Sequence, residues 1–302
     1  MTSGRSARVK ADERPQRPGT AEPAESSDRG PVTLLHVSDI RPALRGLLHI
    51  DSLRAANDPA GDQIDLPQAV ARYRQDQASW FAPLLGPLVV PDVMLAEVGR
   101  IDPDAELLPV CVVNSTGAGG LVSLAAREVP GVRVVAVESA LRDLDDLVGN
   151  AARIVSAAAE LDDSVDVYVE IPDGARYERA VEEIEAAGLN GAVRLEDDGR
   201  AAHQLLARQL STLVEADLPF KVTGQGLGVL NMLVAVQILI ETGSQRDAVE
   251  MLRTEQYVVA PTVVDWDEET GGRLRRRLRA VATGAAEDNA DLFDRVGLVS
   301  RP

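Results

Sequence analysis

Lys221 lies in LPFKVTGQGLG, residues 218–228, just ahead of a glycine-rich stretch. The chain has only one other lysine, Lys10, in a polar N-terminal segment. Elsewhere it uses arginine, as GC-rich coding tends to produce. A lysine amine can attack a carbonyl to form an imine, but only when deprotonated. Burial and a neighbouring cation such as Arg194 push it towards that state. Glu170 or Glu138 could then act as general acid or base if burial raises its pKa. The same carboxylates would instead stabilise the ammonium. Two other readings therefore stand beside the imine. Lys221 could bind an anionic ligand as a point charge, or the group could be a charge-balanced polar plug of the kind buried charges require.

The glycine-rich stretch TGQGLG, residues 223–228, favours anion binding. Gly224, Gly226 and Gly228 would let the backbone approach a ligand, with Thr223 beside them as a further ligand-binding candidate, and the N–H groups of the helix expected next would favour a phosphate or carboxylate. STGAGG, residues 115–120, has similar composition ahead of another helix. Neither is followed by GK[ST], so neither is a Walker A loop.

These residues sit on an alternating pattern of short apolar strands and amphipathic helices. Strands are expected at 87–90, 107–114, 132–139, 165–172, 191–197 and 219–223, with helices between them. Parallel strands need such crossovers, and repeated short βα units over this length favour a single (β/α)8 TIM-type barrel. HVSDI or LLHI could supply the first strand and VATGA the last. Side chains alternate across a strand. In VDVYVEIP, Val165, Val167, Val169 and Ile171 then face the helices, and Asp166, Tyr168 and Glu170 face inward. GAVRLED puts Ala192, Arg194 and Glu196 inside. PFKVT puts Lys221 and Thr223 inside, and VRVVAVES puts Glu138 there with Val134 and Ala136. A long helix is expected from Leu141 to Leu161.

Composition narrows the functional classes. The chain has 302 residues, 45% hydrophobic but only 3% aromatic, so its core must be aliphatic. A net charge of −17 argues against a nucleic-acid footprint and against docking on anionic lipid. No apolar run reaches the roughly 18 to 20 residues of a membrane span. No signal peptide is expected from MTSGRSARVK. With Cys111 alone, no intrachain disulfide or cysteine-based zinc site can form. His36, His49 and His203 are scattered, so a histidine metal site is not expected; no cofactor is assigned, while an oxygen-ligand Mg²⁺ site built from Asp and Glu, such as those of EDD (196–198), stays open. RLRRRLR, residues 273–279, reads as a solvated basic helix. Trp266 reads as a packing anchor and Cys111 as a small core residue. Residues 1–30 read as a disordered tail and 31–302 as the barrel domain, in a soluble cytoplasmic protein.

The segments GAVRLEDDG, LPFKVTGQGLG and VLNMLVAV resemble an uncharacterised bacterial and plant family of TIM-barrel-like proteins, marked by a PFKATAGLHH-type lysine strand. LLHIDSL and LVVPDVMLAEV are similar to further stretches of that family. The resemblance implies a barrel with its site around Asp51, Arg194, Lys221, Thr223 and Asn231. Gln225 to Gly228 stand where the family has paired histidines, and Glu196 and Asp197 replace its double glycine. The chain thus looks like a diverged member. Its expected role is to bind a small anionic metabolite, phosphorylated or carboxylated, near Lys221 and Arg194. Lyase or isomerase chemistry is the expectation if it is an enzyme. The alternative is a non-catalytic paralogue acting as a partner or regulatory subunit, with homo-oligomerisation left open.

Overall fold

Strands of Val, Leu and Ile that alternate with amphipathic helices need both faces covered, and a sheet closed on itself and wrapped by helices is one arrangement that does so. The computed structural model shows this arrangement. It describes residues 43–55, 64–101, 106–224, 228–254 and 267–301, all of them within the compact unit His36–Pro302.

Eight parallel strands form a closed barrel in sequence order. They are β1 (Leu48–Ile50), β2 (Leu85–Pro91), β3 (Leu108–Asn114), β4 (Val132–Ala140), β5 (Asp166–Glu170), β6 (Asn190–Leu195), β7 (Phe220–Gly224) and β8 (Leu278–Thr283). The outer layer includes α1 (Leu66–Gln77), α2 (Leu95–Ile101), α3 (Ala118–Ala125), α4 (Leu147–Ala158), α5 (Tyr177–Ala186), α6 (Arg200–Glu215), α7 (Val229–Thr242), α8 (Gln245–Arg253), α9 (Glu268–Arg277) and α10 (Ala286–Arg295). Closure is made by β1 on β8, with Leu48 opposite Val281 and His49 opposite Ala282. Among the described residues no helix is long and apolar enough to cross a membrane.

Two packing layers follow from the period-two alternation. Val167, Val169, Val193, Leu195, Phe220 and Val222 face outward into the main core against the helices. Val89, Cys111, Ala136, Tyr168 and Ala192 form a separate cluster inside the barrel. The helix starts are chemically marked. Asp65 and Gln68 make a reciprocal capping box on α1, and Asp146 and Asp267 cap α4 and α9.

Several local expectations are corrected. LLHI supplies β1, whereas HVSDI lies outside the described residues, as do the tail and Trp266. The helix expected at Leu141–Leu161 is shorter, Leu147–Ala158, because Asp146 caps it late. The basic run is not one helix: α9 stops at Arg277 and β8 begins at Leu278. Val134 is not inside. The β3–β4 register slips between Val110 and Cys111, pairing Val110 with Val134 but Cys111 with Ala136. One extra residue is thus inserted in β4, which turns Val134 towards the helices. Glu196 is exposed beyond the end of β6 rather than inward.

Gly224 ends β7 with φ +139°, and a Cβ there would stand 2.4 Å from the Leu195 carbonyl oxygen. The close approach of two strand ends therefore requires glycine. Gly224→Ala is expected to destabilise the barrel by about 1–3 kcal/mol, measured as a lower urea midpoint. An unchanged midpoint would contradict this packing.

Candidate functional site

Strand pairing brings the inward residues of β4 to β7 together. Lys221 is level with Ala192 on β6 and Ala280 on β8. These two small neighbours leave room for a long side chain inside the barrel. Thr223 is level with Arg194, and Glu138 is level with Tyr168 and Val113. Glu170 and Arg194 stand near the C-terminal ends of their strands, the end where barrels of this kind carry their sites.

Glu138 joins the group. Its Oε2 accepts from Lys221 Nζ at 2.9 Å, and its Oε1 accepts from Arg194 Nη2 at 3.4 Å. Arg194 also forks onto Glu170, with Nε donating to Oε1 at 2.8 Å and Nη2 to Oε2. Such two-point pairing suits the planar guanidinium. Exposure rises from the inside outward. Lys221 is 0% and Glu138 2% exposed, whereas Glu170 is 19% and Arg194 24% exposed. The mouth is therefore represented by Arg194 and Glu170, not by the lysine.

The ammonium of Lys221 is satisfied on several sides. Besides Glu138, it lies 3.6 Å from Cys111 Sγ and 5.8 Å from the centre of the Tyr168 ring. Burial alone would lower its pKa. Negative charge on Cys111, on Glu138 and on Asp51 opposes this, and the net direction is upward. Burial pushes the Cys111 thiol up to about 11, so near neutrality the thiol is uncharged and the Glu138 carboxylate dominates. Lys221 is thus held as an ammonium, the opposite of what imine formation needs. Burial also works to lower Arg194, but its hydrogen bond with Glu170 and the charges of Glu170, Glu138 and Asp51 raise it.

Asp51 follows β1 directly, and its N–H donates to the Thr283 carbonyl at 2.9 Å. Its carboxylate is felt electrostatically by both Lys221 and Arg194. The structure therefore brings Asp51, Glu138, Glu170, Arg194, Lys221 and Thr223 to one end of the barrel. Thr223 is fully buried, with its hydroxyl directed at the Val193 carbonyl at 3.5 Å. Asn231 is not part of the group. It lies on α7, outside the barrel, and donates to the carbonyls of Met251 and Thr254 at 3.0 and 2.6 Å, closing the end of α8. Gly224 serves the strand packing described above, and Gly226 lies outside the described residues.

The second glycine-rich loop is also accounted for by packing. Asn114 donates to the Gly117 carbonyl at 2.7 Å and to Ser139 Oγ at 3.0 Å. Ser115 binds Asp92 through both its N–H and its hydroxyl. A Cβ at Gly120 would stand 1.9 Å from Asn114 Oδ1. Gly120 makes room for this side-chain tie, whereas a Cβ at Gly117 or Gly119 would meet nothing within 4 Å. Among the described residues no three histidines, cysteines or carboxylates group as metal ligands.

Beneath the charges lies a buried aromatic pair that the sequence did not single out. His49 meets Tyr168 edge-on, with centroids 5.9 Å apart. Burial, then the positive charges of Lys221 and Arg275, hold the His49 pKa well below its ordinary value. Burial likewise raises Tyr168. Cys111 and Tyr168 both show the inward phase of their strands, and that phase was the available signal.

No protein-family model matches the chain, and no curated protein matches it. Two solved structures align over most of its length. One, from Coccidioides immitis and named as a fructose-1,6-biphosphate aldolase, is 10% identical with a TM-score of 0.40, covering 86% of this chain and 95% of that one. The other, the carboxyl transferase domain of Rhizobium etli pyruvate carboxylase, is 17% identical with a TM-score of 0.38, covering 87% of this chain and 50% of that one. Likeness at this level says nothing of a shared activity.

Two outcomes are expected. Lys221→Met leaves Glu138 buried without its nearest cation, and unfolding free energy should fall by about 3–5 kcal/mol. Adding Glu138→Gln should restore part of the loss, because the buried charge is removed. For His49, the folded pKa lies below the unfolded one, so the unfolded state takes up a proton first. Its contribution is complete above about 6.5 and is lost as pH falls through the lower folded value. Stability should fall below about pH 6.5 by up to about 1.4 kcal/mol per pH unit, and His49→Gln should flatten that slope.

Proposed function

We propose that the barrel binds a small carboxylate- or phosphate-bearing metabolite at its C-terminal mouth, with Arg194 as the cation that meets it. One observation carries this reading: the partly exposed Arg194 fork is already matched to a carboxylate, that of Glu170. An incoming carboxylate can take the same two donors, because the geometry suits any planar oxyanion. Glu138 keeps its own contact with Arg194 and steadies the guanidinium from below.

In this reading Lys221 is the counter-ion that keeps Glu138 charged inside the barrel. Glu170, freed from Arg194 by the ligand, is the group placed to accept a proton if turnover accompanies binding. Lyase or isomerase chemistry would then run through the carboxylate rather than through an imine. The resemblance of LPFKVTGQGLG to the lysine-strand family supports this location for the site. The single free, buried cysteine fits a cytoplasmic setting.

Calorimetric titration with inorganic phosphate, malonate and citrate tests the reading. The full chain should bind at least one of them, and Arg194→Gln should weaken that binding by about tenfold or more. Equal binding by both proteins would contradict it. Borohydride treatment with an α-keto acid should leave the intact mass unchanged, and a Lys221-dependent adduct would overturn the counter-ion role.

A second reading, a non-catalytic partner subunit, is favoured by Val93 and Leu144. They are 78% and 57% exposed on the connections after β2 and β4, at the same end of the barrel. Under it, Val93→Asp with Leu144→Asp would abolish an association seen by sedimentation while leaving anion titrations unchanged.

A further inference from the structure

At the face opposite the mouth, where helices end and strands begin, two depressions adjoin. One, of about 540 Å³, lies between the α3–β4 and α4–β5 turns and is lined by Leu107, Leu124, Val129, Val132 and Val165. The other, of about 410 Å³, lies between the α4–β5 and α5–β6 turns, against Val155, Ala158, Val165 and Leu189. Leu161, Asp162 and Val165 belong to both, so the two form one trough with the α4–β5 turn at its middle. Its apolar walls are open to solvent. Leu107 is 52% exposed, and Leu124, Val129, Val132, Leu161 and Leu189 are only partly buried. The rim is acidic. Asp162, Asp163, Asp166 and Glu128 line it against one cation, Arg127. All four carboxylates are exposed, and none makes an ion pair with a described residue. Helices α3, α4 and α5 all finish at the trough, and none has a basic residue in its last turn. Their free carbonyls leave partial negative charge there, which favours a cation.

This charge selects the occupant. Self-association about a two-fold axis, the commonest kind, sets a patch against itself. Carboxylates would then face carboxylates, which costs energy. An anionic lipid surface is disfavoured for the same reason. A compact ligand would fill one depression and leave the other. We propose that this face docks a basic amphipathic helix of a partner protein. Its apolar side chains enter the two depressions, and the Lys or Arg residues beside them meet Asp162, Asp163, Asp166 and the three helix ends. The spacing agrees. The depressions lie at consecutive turns of the barrel's outer layer, where packed neighbouring helices stand about 8–10 Å apart. Two turns of a docked helix advance about 10.8 Å, so anchors at i and i+7 reach both depressions. The trough lies at the other end of the barrel from Arg194 and Glu170, so docking neither needs nor blocks a ligand at the mouth.

The test is fluorescence anisotropy on the full chain with labelled synthetic peptides of about 14 residues. One carries leucine at i, i+3, i+4 and i+7 with lysine elsewhere. A second replaces every lysine by glutamate, and a third has one alanine inserted between its leucine anchors. The lysine peptide is expected to bind about tenfold or more tighter than either of the others and to weaken as salt is raised. Asp162→Asn, Asp163→Asn and Asp166→Asn together should weaken it by about tenfold or more, and so should Leu107→Gln, with urea midpoints showing that both variants are folded. The whole chain is acidic, so the control neutralises three exposed carboxylates elsewhere, by Glu241→Gln, Glu287→Gln and Asp288→Asn. That variant should bind the lysine peptide as the parent chain does. Equal losses in the two triple variants would mean diffuse attraction and overturn the proposal. A glutamate peptide that binds as tightly, or a lysine peptide that does not bind, would also overturn it. Self-association in sedimentation that Leu107→Gln abolishes, with no peptide bound, would assign the trough to a second copy instead.

Discussion

A carboxylate enclosed by a β-barrel must be matched by cations or lose its charge, and Glu138 is such a group. With one oxygen on Lys221 and the other on Arg194, it ties β4 to β7 and β6 across the barrel interior. The surrounding composition follows from this. Ala136, Ala192 and Ala280 are small where the lysine stem needs volume. Lysine suits the enclosed position because its charge is compact, whereas the planar guanidinium of Arg194 serves the position that must fork onto two carboxylates. Arg194 is the link between the sealed charge and the exposed one.

That gradient separates two jobs that the sequence left combined in one residue. A nucleophilic lysine needs a reachable, neutral amine. Lys221 has no exposed surface and a carboxylate at 2.9 Å. What the fold presents outward is an arginine paired to a partly exposed acid, and the lysine shares Glu138 with that arginine. His49 and Tyr168 close the interior beneath it with an aromatic contact. Only neutral imidazole suits that place among nearby cations.

Much of this was legible as simple alternation. The period of VDVYVEIP, GAVRLED and PFKVT placed Glu170, Arg194 and Lys221 inside, and VRVVAVES placed Glu138 there. The sequence of strands and helices implied the barrel. The misses have physical causes outside the local sequence. Val134 faces the helices because β4 carries an inserted residue relative to β3, a property of the pair rather than of either strand. Asn231 was expected at the site only through a resemblance, and its amide donates to the carbonyls of Met251 and Thr254, some twenty residues on. Leu278 begins a strand in the middle of an arginine run that local pattern would continue as helix. There Arg275 donates to the Leu278 and Arg45 carbonyls, fastening the end of α9 to β8 and to the turn before β1. Cys111 and His49 gave no chemical signature alone, because the group they belong to, with Glu138, Tyr168 and Lys221, is assembled from β1, β3, β4, β5 and β7.

The chain's two lysines permit a direct measurement of the central claim. With lysine labelled by 13C at Cε and 15N at Nζ, the spectrum should contain two signals, for Lys10 and Lys221, assigned by Lys221→Arg. An unperturbed lysine loses its proton at about 10.4 as the pH is raised. The account requires Lys221 to remain an ammonium beyond that point for as long as the protein stays folded. A Lys221 signal that loses its proton below Lys10, with neutral amine present near pH 7, would contradict the claim that Glu138 holds a buried counter-ion.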